Sequence, residues 1–449
     1  MSGEADAALR ALVVAYAFPP TGGAGVGRPV KLVKYLGLHG VRPSVLTASN
    51  PSSPLRDDSL LADIPVGTEI VRVPTLEPGY GVKRVGWSLA QTGPAAPMSV
   101  GRRALKLAVD VGRQALVPDP QVLWLPAAQL ALGRRLLRGA DDVVLISGPP
   151  FSQFLLGPLA RRRPGTAVIL DYRDEWSTVR EVYEMNARLP AQVGAVLERI
   201  VIGSAHAIIT ATEAFRANLL ARFPFLDPAA VVAIPNGYDP DDFPAALPGP
   251  PAEADKLTIT YAGTVFRLTS ARGLLGALRR LHAAEPALAR RLRVRFVGRI
   301  VETELDAFAG CEALGVERSG YLPHAEAMRA LAASHLALCI LDEAPHVERI
   351  YPAKIFELGH LAERWGLRVL TLSPPGALAD LVRDHTIGEL LPPRAEAAIA
   401  AAMARELRAF VAGVRPPAPR PRDFARFDRR ALAGEFARVM RDALTRARR

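Results

Sequence analysis

The stretch Tyr16-Ala-Phe-Pro-Pro-Thr-Gly-Gly-Ala-Gly-Val-Gly-Arg28 constrains the fold most, because it joins an apolar run, Ala11 to Ala15, to an amphipathic segment of helical period. A strand, a glycine-rich turn and a helix in that order are the start of a βα unit. Gly22, Gly23, Gly25 and Gly27 let the backbone turn sharply and approach a ligand. A helix beginning near Pro29 would offer unpaired N–H groups and the positive end of its dipole to an anion. An ordinary βα turn is the alternative reading, since a glycine cluster alone is a weak signal. A dinucleotide site wants G-x-G-x-x-G directly after the strand and an acidic residue roughly 20 positions later. Here the glycines come late, Arg28 stands in place of a third glycine, and the second strand, Pro43 to Thr47, runs into Ala48-Ser49-Asn50 without a carboxylate. The pattern favours a nucleotide-sugar or phosphate site over NAD.

A chain of 449 residues exceeds what one core usually supports, so two domains are expected. With 49% hydrophobic and 22% charged residues the composition is globular. No run of 18 uncharged apolar residues occurs, and Met1 to Arg10 lacks the pattern of a signal peptide, so a cytoplasmic protein is expected. Cys311 and Cys339 are isolated and the eight histidines show no H-x-x-x-H pair; neither a disulfide framework nor a structural metal is expected. The net charge of +11 is spread along the chain without aromatic interleaving, which argues against nucleic acid and for anionic substrates or an anionic membrane surface.

Apolar runs near 11–17, 43–47, 143–147, 167–171, 206–211 and 231–234 read as strands separated by helices, a parallel α/β pattern. Turn-forming residues follow from Pro235 to Ala252, and a second series opens at Leu257, with strands near 292–297, 336–341 and 368–372. Helices are predicted near 271–284, 323–333, 352–365 and 394–411. The predicted organisation is residues 1–235 as a first Rossmann-like domain, 236–256 as linker, 257–414 as a second Rossmann-like domain, and 415–449 as a Pro/Arg-rich break with a helix returning to the first domain. In such folds ligands sit at the carboxyl ends of the strands, here in a cleft between two facing domains.

Several segments together resemble the family 4-like glycosyltransferases of GT-B fold. They are the Tyr16–Arg28 stretch, Val117-Pro-Asp-Pro-Gln-Val-Leu-Trp-Leu-Pro126, Ser147-Gly-Pro-Pro-Phe-Ser152 and Asp171-Tyr-Arg-Asp-Glu-Trp176, then Ile234-Pro-Asn-Gly-Tyr-Asp239, Tyr261-Ala-Gly263, Gly320-Tyr-Leu-Pro323 and Tyr351-Pro-Ala-Lys-Ile-Phe-Glu357. The resemblance implies transfer of a sugar from a nucleoside diphosphate donor, UDP-type first, to a glycan, lipid-linked or small-molecule acceptor. It further implies retention of configuration, with no resident cofactor or metal. The first domain would then serve the acceptor and the second the nucleotide sugar.

For the site, the resemblance implies a donor-binding set of Gly22, Gly23, Gly25, Arg267, Arg272, Lys354 and Glu357, with Glu357 on the ribose. The family's basic pair after the first strand of the second domain is not intact, since Thr264 follows Gly263; Arg267 and Arg272 are the nearest replacements, and Arg272 would stabilise the leaving diphosphate. Eight residues before Glu357, where relatives often carry another glutamate, stands Arg349; either Glu348 or Arg349 would serve the sugar. Arg173 and Asp174 would bind sugar or acceptor hydroxyls or orient the attacking group, although an arginine cannot act as a base. Solvated arginines at a helix start and a structural Arg–Asp pair are the plain alternatives.

The acceptor segment, 75–125, holds Trp87, Arg102, Arg103, Lys106, Arg113 and Trp124, and a helix over roughly 101–117 would set an apolar stripe beside those cations. Residues 415–449 carry eleven arginines against four acidic residues, so peripheral contact with the inner face of the cytoplasmic membrane is expected. Two rival readings remain: a non-hydrolysing sugar-nucleotide epimerase of the same fold, and an inactive GT-B scaffold.

Overall fold

The structure, a computed structural model, describes residues 8–53, 55–81, 116–176, 188–243, 255–414, 417 and 419–449. It divides into two compact units, one of Met1–Pro235 with Leu432–Arg449 and one of Asn236–Ala431.

The first unit is built on a parallel sheet of β1 (Leu9–Val14), β2 (Val41–Ala48), β3 (Glu69–Val73), β4 (Val143–Gly148), β5 (Ala167–Tyr172), β6 (Ala207–Thr210) and β7 (Val231–Ala233). Their order across the sheet is β3-β2-β1-β4-β5-β6-β7. The central strands are aliphatic without alternation because helices cover both faces. Leu12 and Val14 of β1 pack with Trp124 and Phe154 on one side, while Ala11 and Val13 pack with Val33, Phe436 and Met440 on the other. Residues from 432 onward, in the helix Arg429–Arg448, thus complete the core of the first unit.

The second unit repeats the plan with β8 (Leu257–Ala262), β9 (Leu292–Val297), β10 (Val316–Gly320), β11 (Leu336–Ile340), β12 (Arg368–Leu372) and β13 (Glu389–Leu391), ordered β10-β9-β8-β11-β12-β13. The first six strands of one unit and the six of the other therefore share one doubly wound order. The likeness extends to a side chain. His206, just before β6, accepts a hydrogen bond from Val168 N at 2.9 Å, and His335, just before β11, accepts one from Thr258 N at 3.0 Å.

Several local expectations are corrected. The first helix runs Ala24–Leu36 and so starts five residues before Pro29, taking Gly25 and Gly27 into its first turns. Residues 236–243, assigned to the linker, lie within the second unit, where Tyr238 stacks on His360 at 4.1 Å and Phe243 packs beside it. Phe424 and Phe427, at the start of the segment expected to return to the first domain, are instead buried in the second unit against Phe356. Strands β3, β10 and β13 and the helix Ala377–Asp384 were not anticipated. Residues 101–115 of the predicted acceptor helix lie outside the described residues. Among the described residues no helix is long and apolar enough to cross a membrane.

Candidate functional site

In the first unit the strand order reverses between β1 and β4, which opens a crevice at their carboxyl ends. A pocket of about 380 Å³ lies there, lined by Ala15–Ala17 after β1, Ser147 and Pro149–Phe151 after β4, and Arg173 and Trp176 after β5, with Gly25 and Asp119 beside them.

Beneath the pocket lies an ion pair with side chains 3% and 1% exposed: Arg28 donates to Asp171 from Nη2 at 2.8 Å and from Nε at 3.1 Å. Ser147 Oγ gives Asp171 another hydrogen bond at 2.7 Å, and Arg28 sends further N–H groups to the carbonyls of Ile234 and Pro235 at 3.0 and 2.8 Å. Both charges thereby gain several hydrogen bonds beyond the pair itself, the condition under which a buried pair is tolerated. Arg28 was legible only as the residue ending the glycine run; its partner stands 143 positions away.

Arg173 has a role that its sequence position concealed. Pro29 has no N–H, so the Gly25 carbonyl four residues earlier receives no helical hydrogen bond. Arg173 supplies one from Nη1, while Nη2 donates to Pro149 O and Nε to Gly148 O at 3.2 Å. The guanidinium therefore pins the Gly25 turn to the β4 loop, and it stands 3.3 Å from where a Cβ on Gly25 would lie. Asp174 follows without a hydrogen-bond partner among the described residues, and burial pushes its carboxyl above the usual range, opposed by Arg173. Gly23 caps the helix with φ of 109°, a conformation that glycine adopts without strain. Gly22 N is held by Leu55 O at 3.0 Å, so of the three predicted glycines only Gly25 reaches the pocket.

The remaining polar groups of this wall are paired. Gln153 Oε1 accepts from Tyr16 N at 2.9 Å and its amide donates to Ser147 O. The Tyr16 hydroxyl donates to Glu77, to which Gln121 also donates at 2.6 Å, and burial together with Glu77 holds that hydroxyl far above its ordinary pKa. Asp119 Oδ2 accepts from Phe151 N at 2.6 Å and Ser152 N at 3.1 Å, fixing the loop after β4; burial raises this carboxyl, and Oδ1 has no partner.

In the second unit the equivalent crevice follows β8. Gly263 has φ of 143°, and a Cβ there would lie 2.0 Å from Lys354 Nζ. Lys354 opens the helix Lys354–Trp365, donates from Nζ to Ala262 O at 2.6 Å and sits 4.0 Å from the centroid of the Tyr261 ring. Glu357 lies one turn further on the same helix face. Its carboxylate is 3.8 Å from His324 Nε2, which is 3.2 Å from Asp242 Oδ2, and burial pushes the Glu357 carboxyl up, with His324 opposing. His324 and Asp242 were not anticipated; His324 directly follows the Gly320–Pro323 motif, which was the available signal.

Arg272 is the first residue of the helix Arg272–Ala284, but its guanidinium is engaged at 2.6 and 3.0 Å by Asp306 and at 3.0 Å by Thr303 O. Arg267, five residues earlier, is exposed. Glu348 and Arg349 pair with each other at 2.8 Å. A further cation, Arg394, meets Asp342 at 3.1 Å just beyond β11.

Residues 22–237 match the family described as the Glycosyl transferase 4-like domain. No curated protein matches the chain. Among solved structures, sucrose-phosphate synthase from Thermosynechococcus elongatus is similar at 14% identity and a TM-score of 0.53, covering 96% of this chain and 94% of that one. WaaG, a glycosyltransferase involved in lipopolysaccharide biosynthesis, aligns at 16% identity and 0.52 over 95% and 94%. A putative UDP-N-acetylglucosamine 2-epimerase from Listeria monocytogenes aligns at 13% and 0.52 over 95% and 94%. At these identities the structures establish the fold, which is α/β of the GT-B type. The domain match spans just under half of the chain, so residues 22–237 resemble a glycosyl transferase 4-like domain within that fold.

Proposed function

We propose that the protein transfers a sugar from a nucleoside diphosphate sugar, of UDP type, to a hydroxyl acceptor, with retention of configuration and without a metal. The observation that carries this reading is the placement of Lys354 and Glu357 one helical turn apart beside the Gly263 bend. A glycine held against a lysine ammonium lets a phosphate approach both backbone and cation, and a carboxylate nearby suits two vicinal ribose hydroxyls. Lys354 retains two N–H groups after serving Ala262 O, and Arg267 and Arg394 add positive charge at the same strand ends. Arg272 contributes as leaving-group stabiliser only if it releases Asp306.

In the first unit Asp174, its carboxyl raised by burial, is the candidate for orienting the attacking hydroxyl, while Arg173 holds the turn that carries Gly25. Products of polysaccharide, lipid-linked glycan or metabolite glycosylation all fit such a reaction. Peripheral membrane contact rests on a smaller set of cations than the sequence suggests, because Arg441 and Arg446 donate to the carbonyls of His39 and Ala229.

Calorimetry with UDP, GDP and TDP in the presence of EDTA tests the donor reading: UDP should bind without metal, and failure of all three to bind would leave the inactive scaffold. Incubation with UDP-sugars and no acceptor tests the epimerase; a changed sugar would replace transfer with epimerisation.

A further inference from the structure

We infer that the pocket of the first unit receives an acceptor whose reacting hydroxyl is carried on a compact apolar body rather than on a sugar ring. This rests on the glycosyl-transfer reading and narrows its acceptor. The argument comes from how the wall is already paired. A sugar entering a pocket exchanges several hydrogen bonds with water for bonds with protein, and wherever the protein group is already taken that loss is uncompensated. Here Gln153 is held at both ends by Tyr16 N and Ser147 O, Ser147 Oγ by Asp171, and the Tyr16 hydroxyl and Gln121 amide by Glu77. Arg173 serves three carbonyls and keeps two of its five N–H groups. The other leftovers among the described lining residues include the Ser52 hydroxyl, one Asp119 oxygen and the Trp176 indole N–H, all buried within the wall, and the Gln121 side-chain oxygen.

The rest of the lining is apolar: Ala15, Ala17, Pro149, Pro150, Phe151 and Trp176. Its size, about 380 Å³, is that of a small-molecule site rather than of a surface dimple. Among the described residues such a wall offers few polar contacts, chiefly at Arg173 and Gln121, and dry surface for everything else. An aromatic alcohol and an isoprenoid alcohol share that chemistry.

The test uses the full chain and four probes, 2-naphthol, geraniol, methyl α-D-glucopyranoside and UDP, with affinities from calorimetry and saturation-transfer NMR. One or both apolar alcohols should bind at least tenfold tighter than the methyl glucoside, and whichever binds better identifies an aromatic or an isoprenoid source. Ala17→Phe, at a half-buried lining position, should abolish that binding while UDP affinity stays within twofold; Ser53→Tyr, on another part of the wall, should do the same if the first variant misfolds. Equal or tighter binding of the methyl glucoside overturns the inference. So does alcohol binding unchanged in a folded Ala17→Phe protein, or no binding by either alcohol. Apolar binding that survives in a chain unable to bind UDP supports the pocket and overturns the donor reading instead, so the two failures are distinguishable.

Discussion

The two units share a strand order yet treat the carboxyl end of their first strand in opposite ways. After β1, polar side chains close on one another: Arg28 on Asp171, Gln153 on two backbone groups, Arg173 on three carbonyls. After β8 the charged groups remain partly exposed, with Lys354 against a bare glycine and Glu357 in a loose chain with His324 and Asp242. A wall whose hydrogen bonds are mostly made within it is rigid and selective by shape; a rim whose charges stay partly exposed attracts an anion. One topology therefore yields two different chemistries, and the difference lies in which side chains meet beyond the strands.

The sharpest way to break this contrast is at the buried ion pair. Asp171→Asn leaves Arg28 buried beside a neutral partner and should destabilise the first unit by about 3–5 kcal/mol, read as an earlier urea transition in that unit alone. A shift under about 1 kcal/mol would mean the pair does not hold the wall. Next, Glu357→Gln should weaken UDP binding by about 1.5–3 kcal/mol in calorimetry with the melting temperature unchanged; unaltered affinity would remove Glu357 from the nucleotide.

Acid probes both units. His206 and His360 are buried, and burial lowers each pKa from 6.5 to about 4. Unfolded histidines take up a proton near 6.5 and the folded ones only near 4, so this stability is complete above 6.5 and is lost as pH falls towards 4, at most about 3 kcal/mol for each. The two differ in partners. His206 accepts from Val168 N, whereas neither ring nitrogen of His360 has a hydrogen bond. His360→Phe should therefore flatten the acid limb of the second unit's unfolding curve at little cost at pH 7, while His206→Phe should cost about 1–3 kcal/mol at neutral pH by orphaning Val168 N–H. Equal behaviour of the two variants would erase the distinction. The smallest effect is expected for Arg272→Ala, whose solvent-screened pair with exposed Asp306 contributes little stability. Turnover should fall less than tenfold, and a larger loss would show that the arginine leaves Asp306 during the reaction.

Central strands were readable because burial on both faces demands uninterrupted aliphatic runs, such as Leu12 to Ala15 or Val143 to Ile146. The three that escaped, β3, β10 and β13, are edge strands or short; Val316 is the one buried residue of β10. The helix start was misplaced because proline is common at the first helical position, whereas here the missing hydrogen bond is supplied by a side chain 148 positions later. In the site, Lys354 and Glu357 stood within one contiguous motif and were visible. Gln153, Asp119 and the Arg28–Asp171 pair depend on partners brought together only by the sheet, and spacing carries no trace of them.

The helix that completes the first core has a consequence for biosynthesis. Phe436, Met440 and Leu444 fill a face of the sheet begun by residues 9–14, so a ribosome must translate the whole second unit before the first can close. The nascent chain reverses the usual order in which the N-terminal domain folds first. Its opening sheet waits, with an uncovered apolar face, while the unit made later can already be finished, and docking of the helix Arg429–Arg448 is what ends that exposure.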